Sequence, residues 1–378
     1  MTIAIYTLTS TLHKESVADA STEPFIQEIE KALGEEFIYP GNDWSGYGTH
    51  DADLIYVRTG GTEGLFKGLC INGNVRLLTS GQSNSLAASM EILSYLRQHG
   101  QRGEILHGPA SEIAERIKEG FQADKDESLF VKPLAPTDLG GLRLGIIGKP
   151  SDWLISSGVD YAKAKEKFNV ELIDIPMEEL VGSKCFEGVD MKSFQGSEAV
   201  YDALRGLIEK YKLGGLTLRC FDLLDSIHNT GCLALARLNA EGVPASCEGD
   251  IPALISMAWL QKTRSCPGFQ CNLSKIDGDE LLFAHCTIPL SMAASYSYTT
   301  HFESGIGTAI KAEVPLGPVE IFKISPDLDH CVSIPGEIIR NESKPNLCRT
   351  QVVVRAPRAA SYFLSSPLAN HHIISFLP

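Results

Sequence analysis

The stretch Pro244-Ala-Ser-Cys-Glu248-Gly-Asp250-Ile251, running into Pro252-Ala-Leu-Ile-Ser-Met-Ala-Trp-Leu260, decides how this chain is read. An apolar run delivers two carboxylates and turns at once into an apolar helix. Open α/β sheets bring side chains to their carboxyl edges in this way, with a strand ending just before a helix N-terminus. Asp250 stands where an N-cap belongs, with Pro252 in the first helical turn. Glu248, two residues earlier, is not needed as a cap. It is expected to be a ligand, a base or the buried partner of a basic group.

Working outward, the preceding sequence continues the same pattern. Apolar runs at 142–148, 170–175 and 215–219 read as strands, and helices are expected at 161–168, 198–212 and 231–240. Further back, strands at 1–6, 53–58 and 75–79 alternate with helices at 85–96 and 111–118, which predicts a second parallel sheet. The polar run 122–128 and the prolines at 133 and 136 place a linker between the two series. After Ser265 the texture changes. Runs at 281–285, 309–313, 319–324 and 351–355, separated by Gly and Pro, read as antiparallel strands. The expected fold class is α/β: two Rossmann-like domains with parallel sheets, then a smaller β-rich, barrel-like domain. The expected bounds are 1–137, 138–264 carrying Glu248, and 265–378 carrying Asn272 and His371.

Composition bounds the chemistry. A chain of 378 residues exceeds what one core usually holds. A net charge of −14 argues against nucleic acid and anionic membrane as partners, because both require a basic footprint. No apolar run is long enough to span a bilayer. The ten cysteines are scattered with no Cys-x-x-Cys pair, which fits reduced thiols and a cytoplasmic location. The segment Met1-Thr-Ile-Ala-Ile-Tyr6 lacks the basic and long apolar regions of a signal peptide and reads as a strand.

Several further residues are candidates. Pro267-Gly-Phe-Gln-Cys-Asn272-Leu-Ser is expected on a strand beside Glu248 at the same sheet edge. The Asn272 carbonyl oxygen can ligate a hard cation but cannot act as a carboxylate base; a turn-forming asparagine is the plain alternative. His285 ends an apolar strand, which makes a core histidine the default, and the adjacent Cys286 would point to the opposite face. His301 and Glu303, two apart, would share one strand face as a substrate-gripping pair. Arg219, at the end of its strand, is a further substrate-binding candidate. His371-His372 lie between Ala369-Asn370 and Ile373-Ile374, as an ordered segment would. Gly145-Ile-Ile-Gly148-Lys-Pro150 fits neither a Walker loop nor a dinucleotide fingerprint. Thr59-Gly-Gly-Thr-Glu63-Gly reads as a turn more readily than as an anion nest.

Taken in order and spacing, Cys-Glu248-Gly-Asp250 before an apolar helix, Phe269-Gln-Cys-Asn272 and Ala369-Asn370-His371 resemble the L-fucose isomerase / L-arabinose isomerase superfamily, in a shorter form, from about residue 142 onward. The resemblance implies a divalent cation, usually Mn²⁺, held by Glu248, Asn272 and His371, with His285 supporting metal or substrate. It makes Glu248 and Asn272 the catalytic pair and implies aldose–ketose isomerisation of a pentose, deoxyhexose or modified hexose through an enediolate. It also implies a homo-oligomer, trimer or hexamer, in which Arg58, Glu63 or Asn84 would reach a neighbouring subunit's site. Asn272 departs from the family, which carries an aspartate there. The change removes one charge and one base, so Glu248 would act with His301, Glu303 or Asp250. The alternative is a sugar-binding or regulatory protein on the same fold. A third reading is an unrelated α/β enzyme using Cys286 or another thiol.

Overall fold

The computed structural model describes residues 1–10, 20–41, 43–69, 71, 73–122, 129–365 and 367–377. Most of the expected linker, residues 123–128, lies outside them.

The first sheet contains β1 (Ile3–Leu8), β2 (Ala52–Val57), β3 (Val75–Leu78) and β4 (Gly103–Leu106), all parallel and in chain order. Ile38 forms a parallel bridge to Ala4. Ile38 follows β1 in the chain but lies on its far side, so the strand order reverses at β1. These strands are covered on both faces and therefore read as nearly unbroken apolar runs. Helices α1 (Pro24–Leu33) and α4 (Ala110–Glu119) close one face. The short α2 (Glu63–Gly68) and the long α3 (Ser85–Gln98) pack on the other.

The second sheet follows β5 (Val131–Pro133) and comprises β6 (Leu142–Ile147), β7 (Val170–Ile175), β8 (Gly215–Leu218) and β9 (Ala245–Cys247) in the spatial order β7-β6-β8-β9. One face carries α5 (Tyr161–Phe168) and α10 (Ile251–Arg264). The other carries α7 (Phe194–Tyr211) and α9 (Cys232–Ala240), with the short α6 (Met177–Val181) and α8 (Asp222–Ser226) in the connections. Asp250 caps α10 as expected, its Oδ1 accepting the Ala253 amide at 2.8 Å. The helix has no polar stripe because it packs on β8 and β9 on one side and on the third layer on the other.

That layer is antiparallel: β10 (Phe269–Asp277), β11 (Glu280–His285), β14 (Gly317–Ile324), β15 (His330–Glu342), β16 (Thr350–Arg355) and, after α11 (Ala359–Ser365), β17 (His372–Phe376). They run in the order β14-β17-β10-β11-β16-β15, and β15 pairs back onto β14, so six strands close into a barrel. β12 (Ser295–Thr299) and β13 (Ala309–Glu313) form a separate hairpin. The α3 helix joins the first sheet to the barrel in one shared core, as α10 joins the second.

Three expectations are corrected. Asn272 does not lie on a strand of the Glu248 sheet. After α10 ends at Ser265 in the left-handed conformation, Pro267-Gly268 turns the chain into β10, whose backbone pairs with β11 and β17. Contact with β9 is made instead by the Gln270 side chain, whose Oε1 accepts the Cys247 amide at 2.7 Å. His301 and Glu303 lie in a turn between β12 and β13, not on a strand. Finally, the 131–133 segment, expected in the first domain, adds as a strand to β15 of the barrel. Among the described residues no helix is long and apolar enough to cross a membrane.

Candidate metal centre

Glu248 follows β9 directly and adopts φ 65°, a left-handed conformation that costs a residue with a Cβ about 1–2 kcal/mol. Gly249 is also left-handed at 72°, and a Cβ there would lie 2.4 Å from the Lys149 carbonyl oxygen. Only glycine permits this turn. It is pinned by the Gly249 amide donating to the Leu218 oxygen at 3.0 Å and the Ser151 amide donating to the Glu248 oxygen at 3.0 Å. The carboxylate itself is oriented by Trp153, whose Nε1–H donates to Oε2 at 2.6 Å.

Its other oxygen faces two imidazoles. Glu248 Oε1 lies 3.5 Å from His371 Nε2 and 3.9 Å from His285 Nε2. One ligand atom from each of the three residues falls within 4.8 Å of the others. Each ring is held through its opposite nitrogen. His371 Nδ1 donates to Asp250 Oδ2 at 2.9 Å, and His285 Nδ1 is engaged by Thr287 Oγ1 at 2.8 Å. Both Nε2 atoms are thereby left for the shared point, an arrangement that orients histidine ligands in metal sites. Asp250 is thus both helix cap and histidine partner. Lys323, fully buried, backs it with Nζ 3.8 Å from Asp250 Oδ2 and donates to the His371 carbonyl oxygen at 2.7 Å.

Electrostatics match this geometry. Burial works against ionisation of Glu248, but His371 and then His285 outweigh it and hold the carboxyl well below the usual carboxylate range. Burial would push His371 down; the Glu248 and Asp250 carboxylates outweigh it and bring the imidazole up to about 9. His371 Nε2 and Asn272 Oδ1 are among the buried side-chain atoms without a hydrogen-bond partner. The unpartnered His371 Nε2 beside the ionised Glu248 is a nitrogen–oxygen donor pair that a divalent cation would satisfy.

The centre opens on a cavity with about 450 Å³ of space between atoms, part of it open to solvent. Gly60, Gly61, Glu63 and Asn84 enter it from the segments after β2 and β3, and Trp153 and Phe221 from those after β6 and β8. Asn272, Glu303 and Asn370 come from the third layer and its connections. Both parallel sheets therefore turn their carboxyl edges toward one site, where α/β sheets bind ligands. Glu91 of α3 ties the pieces together, accepting the Ser156 amide at 2.7 Å and the Asn370 amide at 3.0 Å. Left-handed backbone recurs around the cavity at Ser83 (49°), Asn84 (61°) and Ala369 (64°) as well as at Glu248.

The sequence candidates divide as follows. Glu248, His285 and His371 converge, and Asn272 lines the same cavity. Glu303 joins them, its Oε1 accepting the Asn84 amide Nδ2–H at 2.9 Å. Burial, and then the Glu248 charge, push its carboxyl up to about 7. Glu63 is 2% exposed, and burial raises its carboxyl as well. Glu63 and Asn84 both line this cavity. Arg58 pairs with Glu23. Arg219 does not line the cavity. Its guanidinium joins the loops after β6 and β8 by bonding Asp152 at 2.7 Å, Asp222 at 2.9 Å and the Pro150 oxygen at 2.6 Å. His301 stands behind the lining, edge-on to Phe221 at 5.5 Å and bonded to Ser304 at 3.0 Å. Cys286 is buried in a separate cluster with Cys232 and Cys348. Trp153, Lys323 and Glu91 carried no sequence signal, since each acts through a partner at least 48 positions away. No family model and no curated protein matches the chain.

Proposed function

We propose that this chain is a divalent-cation-dependent aldose–ketose isomerase acting on a neutral sugar (a pentose, deoxyhexose or modified hexose) and a short relative of the L-fucose / L-arabinose isomerase superfamily. One observation carries the reading: two imidazole Nε2 atoms and an ionised carboxylate meet at one buried point with their opposite nitrogens engaged. Glu248, His285 and His371 would hold the cation, with Mn²⁺ the choice implied by the resemblance. When bound, it would supply Lewis acidity toward two neighbouring sugar oxygens.

The chain's own residues do the remaining work. Trp153 and Phe221, edge to face at 5.0 Å, give the sugar's C–H surface an apolar wall. Asn272 and Asn370, whose Oδ1 atoms are buried without partners, accept sugar hydroxyls. Asp250 and Lys323 fix the His371 ring, so that positioning is built in before substrate arrives. The strand order β7-β6-β8-β9 supports a doubly wound, Rossmann-like description of the second sheet, and the Ile38 bridge supports the same for the first. A cytoplasmic homo-oligomer completes the proposal.

The test is a Mn²⁺ titration joined to a panel of free aldoses. Stoichiometric binding that is abolished by His371→Ala, together with turnover of at least one aldose, is the expected result. No binding and no turnover would sink the reading. Asn272 favours a second one, a sugar-binding protein without turnover, because it supplies no base at the position where the superfamily has an acid. Calorimetric sugar binding without isomerisation would identify that case.

A further inference from the structure

If Glu248 is committed to a cation and Asn272 cannot take a proton, the isomerisation lacks the group that moves hydrogen between carbons. The cavity holds two other carboxyls, Glu63 and Glu303. Glu63 opens a short helix and is almost fully enclosed. Glu303 is half-buried and comes from the turn between β12 and β13.

That turn is fixed before any ligand binds. The His301 amide donates to the Ile306 oxygen at 3.0 Å, and the Gly305 amide donates to the His301 oxygen at 3.0 Å. Gly307, at φ 63°, lies so close to the second α/β layer that a Cβ would come 2.4 Å from Thr230 Oγ1. After β3, Asn84 is held in a left-handed conformation and its amide clamps Glu303 Oε1 at 2.9 Å. A carboxyl gripped by a neutral amide is oriented yet not neutralised by a cation, as a proton-transferring acid requires.

We propose that Glu303, positioned by Asn84, is the catalytic base and acid that carries the proton between C2 and C1 of the sugar. This rests on the isomerase reading above. The Glu303 carboxylate removes the proton from C2, and the electron pair of that C–H bond becomes the C1–C2 double bond of an enediolate. The resulting carboxylic acid returns the same proton to C1, forming the new C–H bond, while the O2 hydroxyl proton passes to O1 and the carbonyl moves to C2. Glu303 ends as the carboxylate, and no co-reactant is consumed. Burial, the larger cause, raises this carboxyl above the usual carboxylate range, which matches a group that must both accept and donate. The titratable groups around it are Glu248, the Cys286 and Cys348 thiols and His301 of its own turn.

The test compares wild type, Glu303→Gln and Glu303→Asp, each loaded with Mn²⁺. Readouts are Mn²⁺ affinity, the thermal midpoint, aldose turnover, and the infrared carboxyl signal of ¹³C-glutamate-labelled protein without substrate. Glu303→Gln is expected to bind Mn²⁺ as wild type does, to lose roughly 100-fold or more of turnover, and to lose a carboxyl that titrates above the usual carboxylate range. Glu303→Asp should recover part of the rate with a shifted acidic limb in its pH profile. Should the Gln variant unfold, the Asp variant's rate and pH limb decide. Turnover by Glu303→Gln within threefold of wild type would overturn the assignment and leave the isomerase reading intact. A wild type that binds Mn²⁺ but turns over no aldose would overturn both.

Discussion

Asp250 offers the sharpest perturbation, because one carboxylate serves three partners. Oδ1 caps α10 through the Ala253 amide, while Oδ2 accepts His371 Nδ1–H and faces the buried Lys323 ammonium at 3.8 Å. Asp250→Asn keeps a capping oxygen, since asparagine caps as well as aspartate. It places an amide donor opposite His371 Nδ1, which favours the tautomer with the proton on Nε2, aimed at Glu248. Losing the partner that orients a ligand histidine weakens a metal site about 10–100-fold, so Mn²⁺ affinity should fall by that factor. Lys323 is 0% exposed and loses the carboxylate that faces it at 3.8 Å, at a cost of about 3–5 kcal/mol. Asp250→Ala should cost about 1 kcal/mol more, for the cap. Denaturant unfolding and Mn²⁺ isotherms of both variants separate these effects. Adding Lys323→Met to Asp250→Asn should restore much of the stability and none of the affinity. An Asp250→Asn protein that binds Mn²⁺ within twofold of wild type would refute the role given to the His371 partner. A double variant no more stable than the single one would refute the account of the buried charge.

Other outcomes follow from the same contacts. With His371 raised to about 9, a cation must displace a proton below that pH. The apparent Mn²⁺ dissociation constant should tighten about tenfold per unit from pH 7 to 9 and then level off, as isotherms across that range would show. A histidine raised above its ordinary value of about 6.5 contributes stability that is fully present below that value and lost as pH rises through about 9. The metal-free protein should therefore show a falling thermal midpoint from pH 7 to 9.5. Trp153→Phe removes the Nε1–H bond to ionised Glu248, worth about 1.5–3 kcal/mol, and should weaken Mn²⁺ binding and reduce the metal-induced quenching of tryptophan fluorescence. Gly249→Ala forces a Cβ against the Lys149 carbonyl and strains a left-handed residue. Metal binding should be lost along with several degrees of thermal midpoint, by titration and calorimetry.

Local signals were legible where the chain reports its own neighbourhood. The helix at Tyr161–Phe168 and the strand at Val170–Ile175 match their sequence reading residue for residue, because burial on one or both faces writes a period into the side chains. The Asp250 cap was legible for the same reason, as its bond spans three residues. β15 was not, because Pro335-Gly336 interrupts its pattern, and its pairing with β14 and β16 tolerates the interruption. His285 read as a core histidine, and it is buried; that its ring shares a point with Glu248 depends on barrel closure against the second sheet.

The sequence by itself thus determined the alternation of strands and helices, the turn that delivers Glu248, and the residue types available for a cation. Tertiary structure alone decided which of them meet. Asn272 left the Glu248 sheet for the barrel, the Nε2 atoms of His285 and His371 came within 3.9 and 3.5 Å of Glu248 Oε1, and Asn84 reached Glu303 across 219 positions of chain. The reason is physical: capping and periodicity are short-range and leave a record in neighbouring residues. A site between two sheets and a barrel is set by long-range packing, which no short window of sequence contains.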